Sequence, residues 1–203
     1  SPLLYGFTTD FYEALVTSKF RKELEDKYGK FLFDQAECSL KTFSEEVIPQ
    51  LQEENKLSSK YDKLIASAKI PFDGEERTLS QMVPYTQSKD RNIRKDAAKK
   101  VAEFFSANKH EFDEIYDKLV KVRTEIAHKL GFKNYVELAY ARLRRLDYNA
   151  QDVAGYRKQV LENIVPLHSE LRERQAKRLD IDKLKFYDEP IKFNSGNADP
   201  HGD

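Results

Sequence analysis

Apolar residues recur every three to four positions along most of the chain, the spacing of one face of an α-helix. Phe20, Leu24 and Tyr28 predict a first helix that stops at Gly29, a residue suited to the left-handed position after a helix. Phe33, Ala36, Leu40, Phe43, Val47, Ile48 and Leu51 keep one stripe through a second, longer helix, in which Pro49 should mark a kink or a boundary. A short helix is expected from Ser59 to Ala66. The pattern then changes. Lys69 to Ser80 (KIPFDGEERTLS) reads as two short extended pieces around Asp73-Gly74, a strong hairpin signal, with Pro71 confining its strand to an edge.

Helical spacing resumes with Leu79, Met82 and Val83, a short helix ending near Pro84. Ser88 and Asp90 are suited to cap a helix carrying Ile93, Ala97, Val101, Phe104 and Phe105. After Asn108 another helix runs through Phe112, Ile115, Leu119, Val122 and Ile126 to Gly131, and Asn134 caps a shorter one with Tyr135 and Leu138. Asn149 and Asp152 resemble a capping box opening a long helix from Gln151 to Leu179. That helix would extend about 43 Å at 1.5 Å per residue, with Pro166 a kink. Ile181 to Phe193 predicts a loop and a short extended segment, and Asn194 to Asp203 has the composition of a loop. The expected fold is mainly α: a multi-helix lobe with one small β-hairpin and a short C-terminal extended segment. Along the chain it divides into a helical hairpin region (1–68), the hairpin (69–80), a helical bundle (81–180) and the final segment (181–203).

Composition narrows the partners. Of 203 residues, Lys plus Arg (35) balance Asp plus Glu (35), and 34% of the chain is charged. About 25% is typical, so the ionic surface is large for the core it covers. Zero net charge disfavours a nucleic-acid binder, which needs a basic face to neutralise phosphates. Seven glycines, about half the average usage, disfavour a turn-rich sandwich or barrel. The single Cys38 excludes a disulfide framework and cysteine-based zinc fingers, and fits a reducing, cytoplasmic location. The longest apolar run, Leu138 to Ala141, is far short of the roughly 20 residues a membrane helix needs. No signal peptide opens the chain, and Ser1 in place of Met is expected to mark a cut end.

Candidate chemistry is sparse. His110, His128, His168 and His201 are scattered, so no two imidazoles lie one helical turn apart. His110 opens HEFDE, which departs from the zinc-helix pattern HExxH at its last position, Glu114. His168-Ser169-Glu170 copies the HxE of zinc deaminases, whose PCxxC partner one cysteine cannot supply. Cys38 has no local His partner and reads as a small buried hydrophobe. No GxGxxG, P-loop or GxSxG occurs. Arg142, Arg144 and Arg145, and a second run at Arg172, Arg174, Lys177 and Arg178, read as solvated faces rather than a phosphate track. Tyr135, Tyr140, Tyr148 and Tyr156 suit helix packing or the wall of a peptide- or sugar-binding cleft.

Phe132 to Val153 (FKNYVELAYARLRRLDYNAQDV) resembles a signature region in the N-terminal half of the oligoendopeptidase F-like branch of the thimet oligopeptidase family, zinc metallopeptidases that hydrolyse peptides. Phe31 to Glu46, Ile70 to Met82, Ser88 to Val101 and Leu184 to Asp203 are similar to further family segments, in matching order. Within Ser88 to Val101 the family reads roughly D-R-x-x-R-x-x-A, as Asp90, Arg91, Arg94 and Ala97 do here. The resemblance implies one zinc ion bound by HExxH and a downstream glutamate, with the HExxH glutamate as general base. No HExxH occurs between Ser1 and Asp203. No catalytic or metal residue is therefore assigned, and no zinc is expected in this chain. The expected role is a channel-forming N-terminal lobe, inactive alone, of an oligoendopeptidase acting on short peptides. Tyr135, Tyr140 and Arg142 are its candidate channel-facing groups, since aromatic and arginine side chains can hold extended peptide and carboxylates. Expected partners are short peptides and the catalytic lobe, with neither nucleic acid nor membrane. Apolar surface meant for that lobe should be exposed and support self-association. The alternative is a free-standing helical interaction module without catalysis.

Overall fold

The computed structural model describes residues 2–197, so His201 lies outside the described residues. Helices dominate, and the backbone separates into two units, residues 1–58 with 116–154 and residues 59–115 with 155–203.

The first unit holds α1 (Pro2–Val16), α2 (Arg21–Tyr28), α3 (Phe31–Lys41) and α8 (Tyr135–Arg142), together with parts of α4 (Ile48–Ala66) and α7 (Lys109–Lys129). α3 packs on α1, α2 and α8. Val47, Leu57, Val122, Ile126, Ala127 and Leu138 form its core, with Leu51, Leu119 and Tyr135 packed against it. α1 has no counterpart among the sequence expectations, because its apolar residues do not share one buried stripe: Phe7 and Phe11 are exposed. The long helix expected from Phe33 through Leu51 is broken. α3 stops at Lys41, and a 3-10 turn at Glu45–Val47 leads into α4. Pro49 thus falls in the first turn of α4, where its missing amide costs no helical hydrogen bond. Ser59–Ala66 is the end of α4 rather than a separate helix. α7 ends as read, at Gly131 (φ 81), with the Phe132 amide bonding back to the Ala127 carbonyl.

The second unit contains the hairpin β1 (Ile70–Phe72) and β2 (Glu75–Arg77), then α5 (Leu79–Thr86), α6 (Arg91–Ala107) and α10 (Val165–Arg178). Asp73 (φ 54) and Gly74 (φ 77) both take left-handed conformations, as a two-residue type I′ turn requires. Pro71 faces Glu76 in the register. Such a small sheet needs support. It comes from α6 against β1 and α5 against β2, with Ile70, Met82 and Ala97 as the core. The Thr78 hydroxyl and Gln81 side chain form a reciprocal capping box on α5, which runs past Pro84 to Thr86. Asp90 caps α6 by accepting from the amides of Asn92 and Ile93.

The long C-terminal helix is continuous but not uniform. α9 (Ala150–Gln159) opens with Asn149 and Asp152 bonded reciprocally, and passes through a π turn at Val160–Ile164 into α10. Pro166 explains the π turn. Its ring would collide with the Glu162 carbonyl in a regular α-helix, and the wider turn before it relieves the clash. After α10 the chain forms one 3-10 turn, Phe186–Asp188, and irregular backbone to Asn197.

Candidate functional site

Within the first unit, the end of α8 concentrates the residues of interest. Arg144 (φ 53) sits in the left-handed region, and the Arg145 amide donates to the Tyr140 carbonyl at 3.0 Å. This is a Schellman-type ending with arginine where glycine is usual, at a conformational cost of order 1 kcal/mol. The ending normally brings together the side chains of the two residues its longer bond joins, here Tyr140 and Arg145. The Arg145 guanidinium lies 4.7 Å from the Tyr140 ring centroid and 5.8 Å from that of Tyr148. The two rings meet edge to face, 6.3 Å apart.

The three arginines of the Arg142–Arg145 run therefore have three environments. Arg142 binds Glu54 through Nη1 at 3.0 Å, and Arg123 holds the same carboxylate through Nε at 2.7 Å. Arg142 Nη2 is buried without a hydrogen-bond partner among the described residues. Arg144 is exposed, and Arg145 rests on tyrosine rings. Of the residues expected to face a channel, Tyr135 is half-buried on the unit's core, with Arg123 5.5 Å from its ring centroid. Tyr140 belongs to the Arg145 cluster, and Arg142 lines a groove of about 1120 Å³ with Glu54, Thr42, Leu51 and Arg144. Arg142 thus reaches an open groove, yet its charge is already shared with Glu54. Cys38 is buried, donates to the Ala141 carbonyl at 3.2 Å, and has its thiol pKa pushed up by burial, which leaves it inert.

The second unit has its own arginine–carboxylate cluster. Asp188 is fully buried and accepts from Arg91 Nε and Nη2 (3.0 and 2.8 Å), Arg94 Nη2 (3.1 Å) and the Lys185 amide (3.0 Å). Arg94, 3% exposed, spends its other donors on the carbonyls of Tyr187, Ser88 and Lys89. Burial pushes the Asp188 carboxyl up, but the hydrogen bonds from Arg91, Lys185 and Arg94 outweigh it and hold the pKa at about 2. Gln175 on α10 donates to the carbonyls of Asp188, Glu189 and Ile191. The D-R-x-x-R-x-x-A stretch thereby acquires physical meaning: Asp90 caps α6, Arg91 and Arg94 clasp the 186–191 segment, and Ala97 sits in the core. No local sequence signal marks Asp188, because its arginine partners lie 97 and 94 residues away.

An apolar stripe marks α9 to α10. Tyr156, Leu161, Ile164, Val165, Leu167 and Leu171 are all exposed, at 46–68%. Exposed surface of this kind was expected. No group of three or more His, Cys, Asp or Glu that could hold a metal ion occurs among the described residues. No described helix is long and apolar enough to cross a membrane.

Comparison with known proteins now defines the class. Residues 84–194 match the model of peptidase family M3, and residues 1–43 match that of the peptidase M3 N-terminal domain. The chain belongs to peptidase family M3. The chain matches, over 100% of its length, a Bacillus anthracis protein assigned as an oligoendopeptidase F, at 57% identity and a TM-score of 0.91. A second structure assigned as oligoendopeptidase F (55%, TM-score 0.93) and PZ peptidase A with an inhibitor (56%, 0.93) also match over the whole chain. The chain spans 36–37% of the length of these structures. The search of curated proteins finds no match.

Proposed function

We propose that these 203 residues are the N-terminal, channel-forming lobe of a zinc-dependent oligoendopeptidase that hydrolyses short peptides, and that the chain alone is inactive. The observation that carries this reading is the end-to-end match, at 55–57% identity, to structures assigned as oligoendopeptidase F and to PZ peptidase A. The chemistry of such an enzyme needs two imidazoles and a carboxylate around one zinc ion, and the sequence contains no HExxH to supply them. The zinc ligands and the general base therefore belong to a catalytic lobe outside these residues. This chain contributes substrate-facing surface, with Tyr135, Tyr140 and Arg142 as its channel groups.

The purified chain, supplied with one equivalent of Zn²⁺ and a panel of quenched fluorescent peptides, is expected to show no turnover above the zinc-only control. Metal analysis after dialysis should find far less than one zinc per chain. Zinc-dependent cleavage that co-purifies with the chain would overturn the reading.

The exposed stripe on α9 and α10 favours a second reading, an interaction module. Six large apolar side chains exposed along one continuous helix are surface of the kind that serves protein contacts. Sedimentation velocity is expected to show concentration-dependent self-association, abolished by Leu167→Glu with Leu171→Glu. A strictly monomeric wild-type chain at high concentration would count against both the module and the idea that this face serves a catalytic lobe.

A further inference from the structure

We propose that Arg145, held by Tyr140 and Tyr148, is a recognition site for a peptide carboxylate; the inference rests on the peptide-channel reading above and names the part of the ligand that would be held. Three observations lead there. The backbone fixes the residue: Arg145 follows a left-handed Arg144, and its amide closes back onto Tyr140. The side chain is fixed as well, with its guanidinium 4.7 and 5.8 Å from two tyrosine ring centroids that brace each other edge to face. Its charge is unmatched. Among the described residues no carboxylate lies within ion-pair distance of Arg145, and no hydrogen bond from its side chain is found, although Asp147 is two residues away.

That combination differs from its neighbours. Arg142, Arg123, Arg91 and Arg94 each already have a carboxylate partner within the chain. Tyrosine rings attract a guanidinium through their faces but accept none of its in-plane N–H groups, so resting on rings leaves the planar donor fork available. A guanidinium of this kind binds a carboxylate through two parallel hydrogen bonds. Because the rings already restrict its rotamers, less side-chain entropy is lost on binding than for a free surface arginine. Tyr148, 45% exposed, adds an apolar face beside the charge, suited to the side chain next to the bound carboxylate. In a peptide that carboxylate is either the chain terminus or an Asp or Glu side chain.

The test uses the chain itself, with ¹⁵N-detected arginine side-chain signals as the readout. N-acetylglycine and N-acetylglycinamide probe the site without requiring a channel. The acid is expected to shift the Arg145 Nε–H signal in a saturable way, and the amide at least tenfold more weakly. Arg145→Gln should remove the response, and Arg145→Lys should retain only part of it. Circular dichroism and the unfolding midpoint show whether each variant is folded. A hexapeptide with a free C-terminus, its amide, and an amide carrying one internal Glu then separate the two sources. Preference for the free C-terminus assigns the site to chain ends, while equal binding of the Glu-containing amide assigns it to acidic side chains. Equal binding of acid and amide by folded wild-type chain, or an unchanged response in folded Arg145→Gln, overturns the proposal. Hexapeptide amide that binds elsewhere without touching Arg145 removes the carboxylate site and leaves the channel reading standing. Acid recognised at Arg145 with no hexapeptide binding does the reverse.

Discussion

Asp188→Asn is expected to destabilise the unit formed by residues 59–115 and 155–203 by about 3–5 kcal/mol, read from urea unfolding. The carboxylate is fully buried and receives four hydrogen bonds, three of them from two arginines. An asparagine of the same shape has no negative charge and turns an amide N–H₂ toward donors. Arg94 would then be left as a charge 3% exposed, with no anion to offset its desolvation. Arg91, whose side chain is 43% exposed, recovers water when the pair is lost, and the buried carboxylate keeps Arg94 and the Lys185 amide, so Arg91→Ala should cost less, about 2 kcal/mol. The contrast between these variants is the informative measurement. Equal losses, or a loss below about 1 kcal/mol for Asp188→Asn, would show that the cluster does not hold the 186–191 segment.

The same carboxylate predicts an acid response. Its folded pKa of about 2 lies below the ordinary value of 3.8, so its contribution is fully present above about pH 4 and is lost as pH falls toward 2. The shift corresponds to roughly 2 kcal/mol. Stability plotted against pH should therefore fall more steeply between pH 4 and 2 in the wild type than in Asp188→Asn. Parallel curves would sink the assignment.

Local signals made much of the fold readable from the sequence. Asp73-Gly74 identified the hairpin because two successive left-handed residues suit few other structures. Asp90, Asn134 and Asn149 marked helix starts because each puts a side-chain oxygen where free amides wait. The break between α3 and α4 was hidden, since Phe33 to Leu51 keeps helical spacing and Thr42 to Ser44 contains neither glycine nor proline. α1 was hidden for the opposite reason, as its exposed Phe7 and Phe11 give no single stripe. The site was less legible. Arg142, Arg144 and Arg145 look alike as a string. Only the turn after α8 assigns one to Glu54, one to solvent and one to a pair of tyrosines. Glu54 lies 88 residues from Arg142, and no local spacing links them.

Glu54→Gln is the matching experiment in the first unit, with an expected loss of roughly 2 kcal/mol. The arrangement has the same form as the Asp188 cluster, two arginines on one carboxylate, but it is wetter. The side chains of Glu54, Arg142 and Arg123 are 13%, 22% and 33% exposed, so each charge regains part of its hydration when the pair is broken. That places the cost between an exposed pair, worth about 0–1 kcal/mol, and a fully buried one. Arg142 adds to it, because its Nη2 is already buried without a partner and Nη1 would lose its anion too. The consequence should travel along the chain. Arg142 is the last residue of α8, two positions after Tyr140 and three before Arg145, so loosening it should disturb the turn that presents the guanidinium. In Glu54→Gln the Arg145 Nε–H signal is expected to move and its response to N-acetylglycine to weaken, although no residue touching Arg145 has changed. Loss of stability with an unaltered Arg145 signal would mean that the turn is held by its own backbone bonds and the tyrosine rings alone. No loss of stability would mean that Arg123 and Arg142 meet Glu54 without depending on it.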